Sequence, residues 1–119
     1  MATRLLLSDD LHWTSKIVET ARVLGRPVEA VRTLERLEQL ARGDAPVCVI
    51  LDLCMQEIDP EQVVARVRAA ATRAPRFAAF GRHTDLEGLA RARAAGCDPV
   101  LARSALQARL PETLAEWLA

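Results

Sequence analysis

A single α/β domain, with a parallel sheet covered by helices on both faces, is the fold class this sequence predicts. Three observations carry it. Val47-Cys48-Val49-Ile50-Leu51 is a run of consecutive apolar residues, mostly branched, that ends at Asp52, as a strand buried on both faces would. Leu5-Leu6-Leu7 is a second such run, and acids follow it too, at Asp9 and Asp10. Short apolar runs and helix-period stretches then alternate five times through the 119 residues, a length that fits one compact domain spanning 1–119.

The elements follow in order. After the Leu5–Leu7 strand, Trp13, Ile17, Ala21 and Leu24 form the stripe of an amphipathic helix, which Gly25 ends as a C-cap. Pro27–Val31 reads as a short, weak strand, and Thr33 caps a helix whose face carries Leu34, Leu37, Leu40 and Ala41. Gly43-Asp44-Ala45-Pro46 is a turn into the central strand, and residues 54–58 are a loop. Asp59-Pro60-Glu61-Gln62 starts the next helix as a capping box with proline at the first position, and Val63, Val64, Val67 and Ala71 are its inner face. Phe77–Phe80 is a strand closed by Gly81. Thr84-Asp85-Leu86-Glu87 is a second capping box, opening a helix that runs to Gly96. Pro99–Ala102 is the last strand, and Pro111 starts a terminal helix with Leu110, Leu114, Trp117 and Leu118 on one face.

Composition excludes several classes. Lys+Arg and Asp+Glu both number 16, so there is no net field to recruit nucleic acid or an anionic membrane. No apolar stretch approaches the roughly 20 residues of a membrane span, and no leader pattern opens the chain. Cys48, Cys54 and Cys97 form neither a disulfide framework nor a zinc knuckle, so a cytoplasmic location with reduced thiols is expected. Cys48 and Cys97 read as small core residues, and Trp13 and Trp117 as packing.

Ligands and reacting groups collect at the carboxyl edge of open parallel sheets, which makes Asp52 the first candidate for chemistry. Adjacent strands would bring Asp9, Asp10 and Asp52 to one rim. Three converging carboxylates repel one another, and a hard divalent cation such as Mg²⁺ offsets that repulsion. Asp9 and Asp10 equally suit the capping of the first helix, and the residues alone leave both readings open. His83 sits in a loop over the same rim, while His12 falls on the surface of the first helix.

Leu5-Leu6-Leu7-Ser8-Asp9-Asp10 together with Val49-Ile50-Leu51-Asp52-Leu53, in five βα units, resembles the receiver domain of bacterial two-component response regulators, the chemotaxis-regulator type. The resemblance runs from Arg4 to Trp117. It implies a flavodoxin-like sheet in the order 2-1-3-4-5 and a phosphoacceptor at Asp52 that takes its phosphoryl group from a sensor histidine kinase or phosphotransfer protein. It further implies weak Mg²⁺ binding by Asp10 and Asp52, with Asp9 acting through water and Cys54 lending its backbone carbonyl. The resemblance also has departures. Gly81 stands where receivers carry Thr or Ser, Arg103 where they carry Lys and Ser104 where a Pro follows it. Val100 stands where they carry a switch aromatic, and Gln56-Glu57 where they carry Pro-Gly.

The leading expectation is therefore a stand-alone, atypical receiver that signals through protein–protein contacts to an output protein, with Arg91, Arg103 and Arg109 as contacts and no enzymatic activity beyond self-phosphorylation and self-dephosphorylation. A phosphorylation-independent pseudo-receiver is the alternative, favoured by Gly81 and Val100. A small phosphohydrolase using Asp52 as nucleophile comes third, because haloacid dehalogenase-type enzymes need a second Asp where this chain has Cys54.

Overall fold

The computed structural model describes residues 3–119. Its elements in chain order are β1 (Thr3–Leu7), α1 (Leu11–Val23), β2 (Glu29–Val31), α2 (Leu34–Gly43), β3 (Pro46–Asp52), α3 (Pro60–Ala70), β4 (Arg76–Gly81), α4 (Leu86–Ala95), β5 (Val100–Ala102), α5 (Arg103–Ala108) and α6 (Leu110–Trp117). The five strands form one sheet in the order β2-β1-β3-β4-β5, every pair parallel. This is the flavodoxin-like order that the receiver resemblance implies.

Side chains alternate across each strand, so the central strands feed two cores. Val49 and Leu51 of β3 point with Leu5, Leu7, Phe77 and Ala79 into a layer closed by Leu37 of α2, Val63, Val64 and Val67 of α3, and Leu89 of α4. Cys48 and Ile50 point the other way, with Leu6, Ala78 and Phe80. That layer is closed by Trp13, Ile17 and Ala21 of α1, Leu106 of α5, and Leu114 and Trp117 of α6. A strand buried on both faces needs apolar residues at every position, which is why β3 shows no hydrophobic alternation. Each fully buried aliphatic or aromatic side chain contributes about 1.5–3 kcal/mol relative to exposure.

The helix starts show which local signals dominate. Asp10, Thr33 and Asp59 each accept a hydrogen bond from a backbone N–H of the first turn. At Asp59 the proline takes the first helical position as expected, and the carboxylate accepts from Glu61 N at 3.1 Å and Gln62 N at 3.4 Å. The reciprocal bond from Gln62 is not formed, because the donors that need satisfying lie inside the helix and one Asp serves both. At α4 the cap is Asp85, not Thr84: its carboxylate accepts from Gly88 N at 3.0 Å. Glycine suits position 88, since a Cβ there would collide with that carboxylate.

Three boundaries differ from the sequence-based expectation. β2 is only three residues long, and Gly43 and Pro46 join α2 and β3 rather than a turn. Proline is tolerated at Pro46 because it opens the strand, where a missing N–H costs least. A six-residue helix, α5, intervenes between β5 and the terminal helix. Leu106 is its one buried residue, too little to print a period in the sequence. Pro111 prevents it from running on into α6, since a proline ring clashes with the preceding turn of a continuous helix.

Removing the α3 cap should therefore show. Asp59→Ala should destabilise the protein by about 1 kcal/mol in urea unfolding, the usual cost of a lost N-cap. The half-exposed ion pair between Asp59 and Arg91 at 3.3 Å should add little to that loss.

Candidate functional site

The β1–β3 register sets Leu7 against Leu51, so the residues that follow, Ser8 and Asp52, end up side by side at the carboxyl edge of the sheet. Asp52 is 1% exposed. The Ser8 hydroxyl donates to its Oδ2 at 2.7 Å, and the Cys54 backbone N–H donates to its Oδ1 at 2.8 Å. Ser8 is itself 1% exposed and is held in turn: its N–H donates to the Val31 carbonyl at 3.0 Å, and its Oγ accepts from Asp10 N at 3.2 Å. Ser8 is the site residue that sequence reasoning passes over. Its signal is present all the same, as one hydroxyl between an apolar strand and an acid pair.

The three acids do different jobs. Asp10 is the N-cap of α1, accepting from Trp13 N at 3.1 Å, so the capping reading is the one realised. Asp9 is exposed at the rim. Among the described residues no group of three or more His, Cys, Asp or Glu side chains stands at metal-holding spacing. The donor chemistry suits Mg²⁺, and the carboxylates that would hold it already accept donors from the protein itself. The Asp10 carboxylate is turned to an orphan N–H of its own helix, and both Asp52 oxygens are engaged by Ser8 and Cys54. Cys54 meets Asp52 through its backbone N–H, at 2.8 Å.

Arg103 opens α5, and its guanidinium lies over the Trp13 ring, 5.7 Å from the centroid. Among the described residues it has no carboxylate within ion-pairing distance, Asp52 included. Lys16 approaches the same ring at 5.5 Å, and the exposed His12 meets it edge-on. Arg91 is not free for a partner: it bridges from α4 to Asp59 at 3.3 Å and Glu61 at 3.8 Å on α3. Arg109 is exposed between α5 and α6. Exposed His83 joins Arg82, Thr84, Arg103, Ser104 and Gln107 around a cleft of about 310 Å³.

At Gly81 a Cβ would meet Leu53 Cβ at 3.1 Å, Leu89 Cδ2 at 3.3 Å and Leu53 Cδ1 at 3.4 Å. The space beside the end of β4 is thus filled by apolar packing. Val100 is buried, and it packs in the layer closed by α2, α3 and α4. Burial pushes the Cys48 and Cys97 thiols up to about 11. Cys54, more accessible, is raised less, by burial first and then by the Asp52 charge, against the pull of Arg103 and Arg82.

No protein-family model matches this sequence, and no curated protein matches it in sequence either. Solved structures do match in shape. A response-regulator signal receiver domain from Bermanella marisrubri superposes with a TM-score of 0.82 at 19% identity, covering 100% of both chains. A Burkholderia pseudomallei response regulator, solved with a phosphorylated aspartic acid, a calcium ion and citrate, gives 0.79 at 14% identity over 100% of this chain and 67% of its own. A Saccharomyces cerevisiae structure of a histidine phosphotransfer protein with the receiver domain of its downstream response regulator gives 0.78 at 11% identity, covering 98% of this chain and 88% of that one.

The chain has the receiver fold. At these identities the likeness is one of architecture, and it places Asp52 at the end of the third strand of a receiver sheet, beside Ser8. Gly81 ends the strand that pairs with β3 beyond Asp52, and Leu53 and Leu89 pack against it. Among the described residues no helix is long and apolar enough to cross a membrane.

Two outcomes follow from this packing. Gly81→Thr should destabilise the protein by about 1–3 kcal/mol as an overpacking change. Combining it with Leu89→Ala, which removes the Cδ2 that a Cβ at 81 would meet at 3.3 Å, should cost less than the two single changes summed, by at least about 0.5 kcal/mol, in a urea-unfolding double-mutant cycle. In native protein at pH 8, iodoacetamide should alkylate Cys54 first. Cys48 and Cys97, buried and almost wholly protonated at that pH, should react only on unfolding, as peptide mass mapping would read.

Proposed function

We propose that this chain is a receiver-fold signalling module that acts by binding another protein, through contacts that do not depend on a phosphoryl group at Asp52. The state of the Asp52 carboxylate carries this reading: it is 1% exposed and both oxygens are hydrogen-bonded, at 2.7 and 2.8 Å. A carboxylate nucleophile has to present a free lone pair in line with the phosphorus. Each oxygen here already holds one donor, and the carboxylate is shut away from solvent, so the end of β3 must open before a phosphorus can approach in line.

Two further features support it. Phosphoryl transfer is catalysed chiefly by positive charge placed around the equatorial oxygens, and Arg103 is seated on Trp13 rather than beside Asp52. A switch also needs a group that contacts the phosphoryl in one state and not the other. Gly81 has no side chain to do so, and Val100 has no ring to turn. Partner recognition then falls to a surface already formed, with Arg103 and Arg109 the available cations and Arg91 held by α3.

One observation favours a second reading, in which Asp52 accepts a phosphoryl group from a histidine kinase or phosphotransfer protein. Asp52 is the last residue of a central strand, at the edge where such folds do their chemistry. Intact mass after incubation with a small-molecule phosphodonor, with and without Mg²⁺, separates the two. The expected result is no phosphoryl increment under conditions that fully label a typical receiver. An increment that disappears in Asp52→Asn would overturn the proposal in favour of phosphoacceptance. Steady release of inorganic phosphate from the donor, without a stable adduct, would favour a hydrolase.

A further inference from the structure

The cleft between the β4–α4 loop and α5 shares only Arg103 with the partner surface proposed above. It encloses about 310 Å³ and is lined by Arg82, His83, Thr84, Arg103, Ser104 and Gln107. Asp52 does not line it, nor does any other carboxylate. We propose that this cleft binds a phosphate-class oxyanion, either free phosphate or the phosphate group of a small phosphomonoester.

Three properties of the lining argue for it. First, the lining is rich in donors: two guanidiniums, an imidazole, two hydroxyls and an amide belong to its residues, and an oxyanion has only acceptors to give them. Second, the cations are uncommitted. Among the described residues the ion pairs use Arg22, Arg42, Arg66 and Arg91, and neither Arg82 nor Arg103 is in one. Arg103 lies over Trp13, its Cζ 5.7 Å from the ring centroid, and a cation held by a ring face keeps its N–H groups for an anion. Of the acids next to the lining, Asp85 is turned to its own helix, accepting from Gly88 N, and Asp52 is buried with both oxygens hydrogen-bonded.

Third, charge is segregated along this edge of a chain whose net charge is zero. A second cleft of about 330 Å³ is lined by Glu57, Asp85 and Glu87, with a single cation, Arg91, that is tied to Asp59. An anion is repelled there and drawn to the Arg82–Arg103 side. The size suits a small ligand, since pockets for such molecules start at about 300 Å³.

The test is a titration of ¹⁵N-labelled full-length protein with inorganic phosphate and, separately, with glycerol 3-phosphate, each against sodium chloride of matched ionic strength. Saturable amide shifts confined to residues 82–84 and 103–107, absent with chloride, are expected. Arg82→Gln, a change at an exposed side chain that leaves the fold alone, should weaken binding about tenfold, the value of one charge-assisted hydrogen bond. Arg109→Gln removes the same charge outside the cleft and should leave binding unchanged. Tighter binding of the ester identifies the ligand as a phosphorylated small molecule, and equal binding identifies the free anion. Shifts that match chloride, fail to saturate or centre on residues 8–10 and 52–54 would overturn the assignment, as would equal losses in Arg82→Gln and Arg109→Gln.

Discussion

A carboxylate shut away from water must find donors inside the protein, and in this molecule that constraint organises the carboxyl edge of the sheet. Asp52 lies where β3 ends, under loops that exclude solvent, and no buried side-chain polar atom among the described residues lacks a hydrogen-bond partner. Ser8 and the Cys54 N–H meet that requirement. Ser8 can do so only because β1 and β3 pair with Leu7 against Leu51, and that register is fixed in turn by the alternation of Leu5, Leu6 and Leu7 between the two cores. A one-residue slip would move the hydroxyl away and turn the leucines to the wrong layers. Packing and polar chemistry therefore hold each other in place.

The same edge shows how apolar packing can take over a position that polar chemistry might have held. Leu53 follows Asp52 directly, and its N–H donates to the Phe80 carbonyl, which extends the β3–β4 ladder past the acid. That bond aims the Leu53 side chain at the end of β4, where Gly81 leaves it room. The glycine and the leucine are complementary, and neither can be read correctly without the other. Ser8, on the other neighbouring strand's end, covers Asp52 itself.

Positive charge is handled differently at the two ends of the rim. On the α3–α4 side the arginines are spent on carboxylates, Arg66 on Glu38 and Arg91 on Asp59 and Glu61, which fasten helix to helix. On the α1–α5 side Lys16 and Arg103 crowd one indole, Trp13, which is otherwise packed against Phe80. A ring face attracts cations without neutralising them. The outcome is a structurally anchored but uncompensated positive region beside Arg82 and His83.

The sequence by itself determined the fold class, because runs such as Val47–Asp52 and the Ile17–Ala21 stripe carry periods that a parallel sheet between helix layers buries, while the strand order came only with the receiver resemblance of its acid-ended runs. It also determined the caps at Thr33 and Asp59, since an N-cap depends on residues within one turn of it. What it could not determine was the partner of each polar group across the sheet. Asp10 is as good a metal ligand as a helix cap on paper, and only the direction of its carboxylate decides between them. Ser8 looks like a linker residue until the register brings it 2.7 Å from an acid 44 positions away. Helix α5, with a single buried leucine, leaves no period to detect, and Gly81 reads as a missing hydroxyl until Leu53 is seen to occupy the space. Local periodicity is written in the chain, whereas the pairing of distant polar groups and the filling of voids are decided when the strands come together, because those contacts belong to no single stretch of sequence.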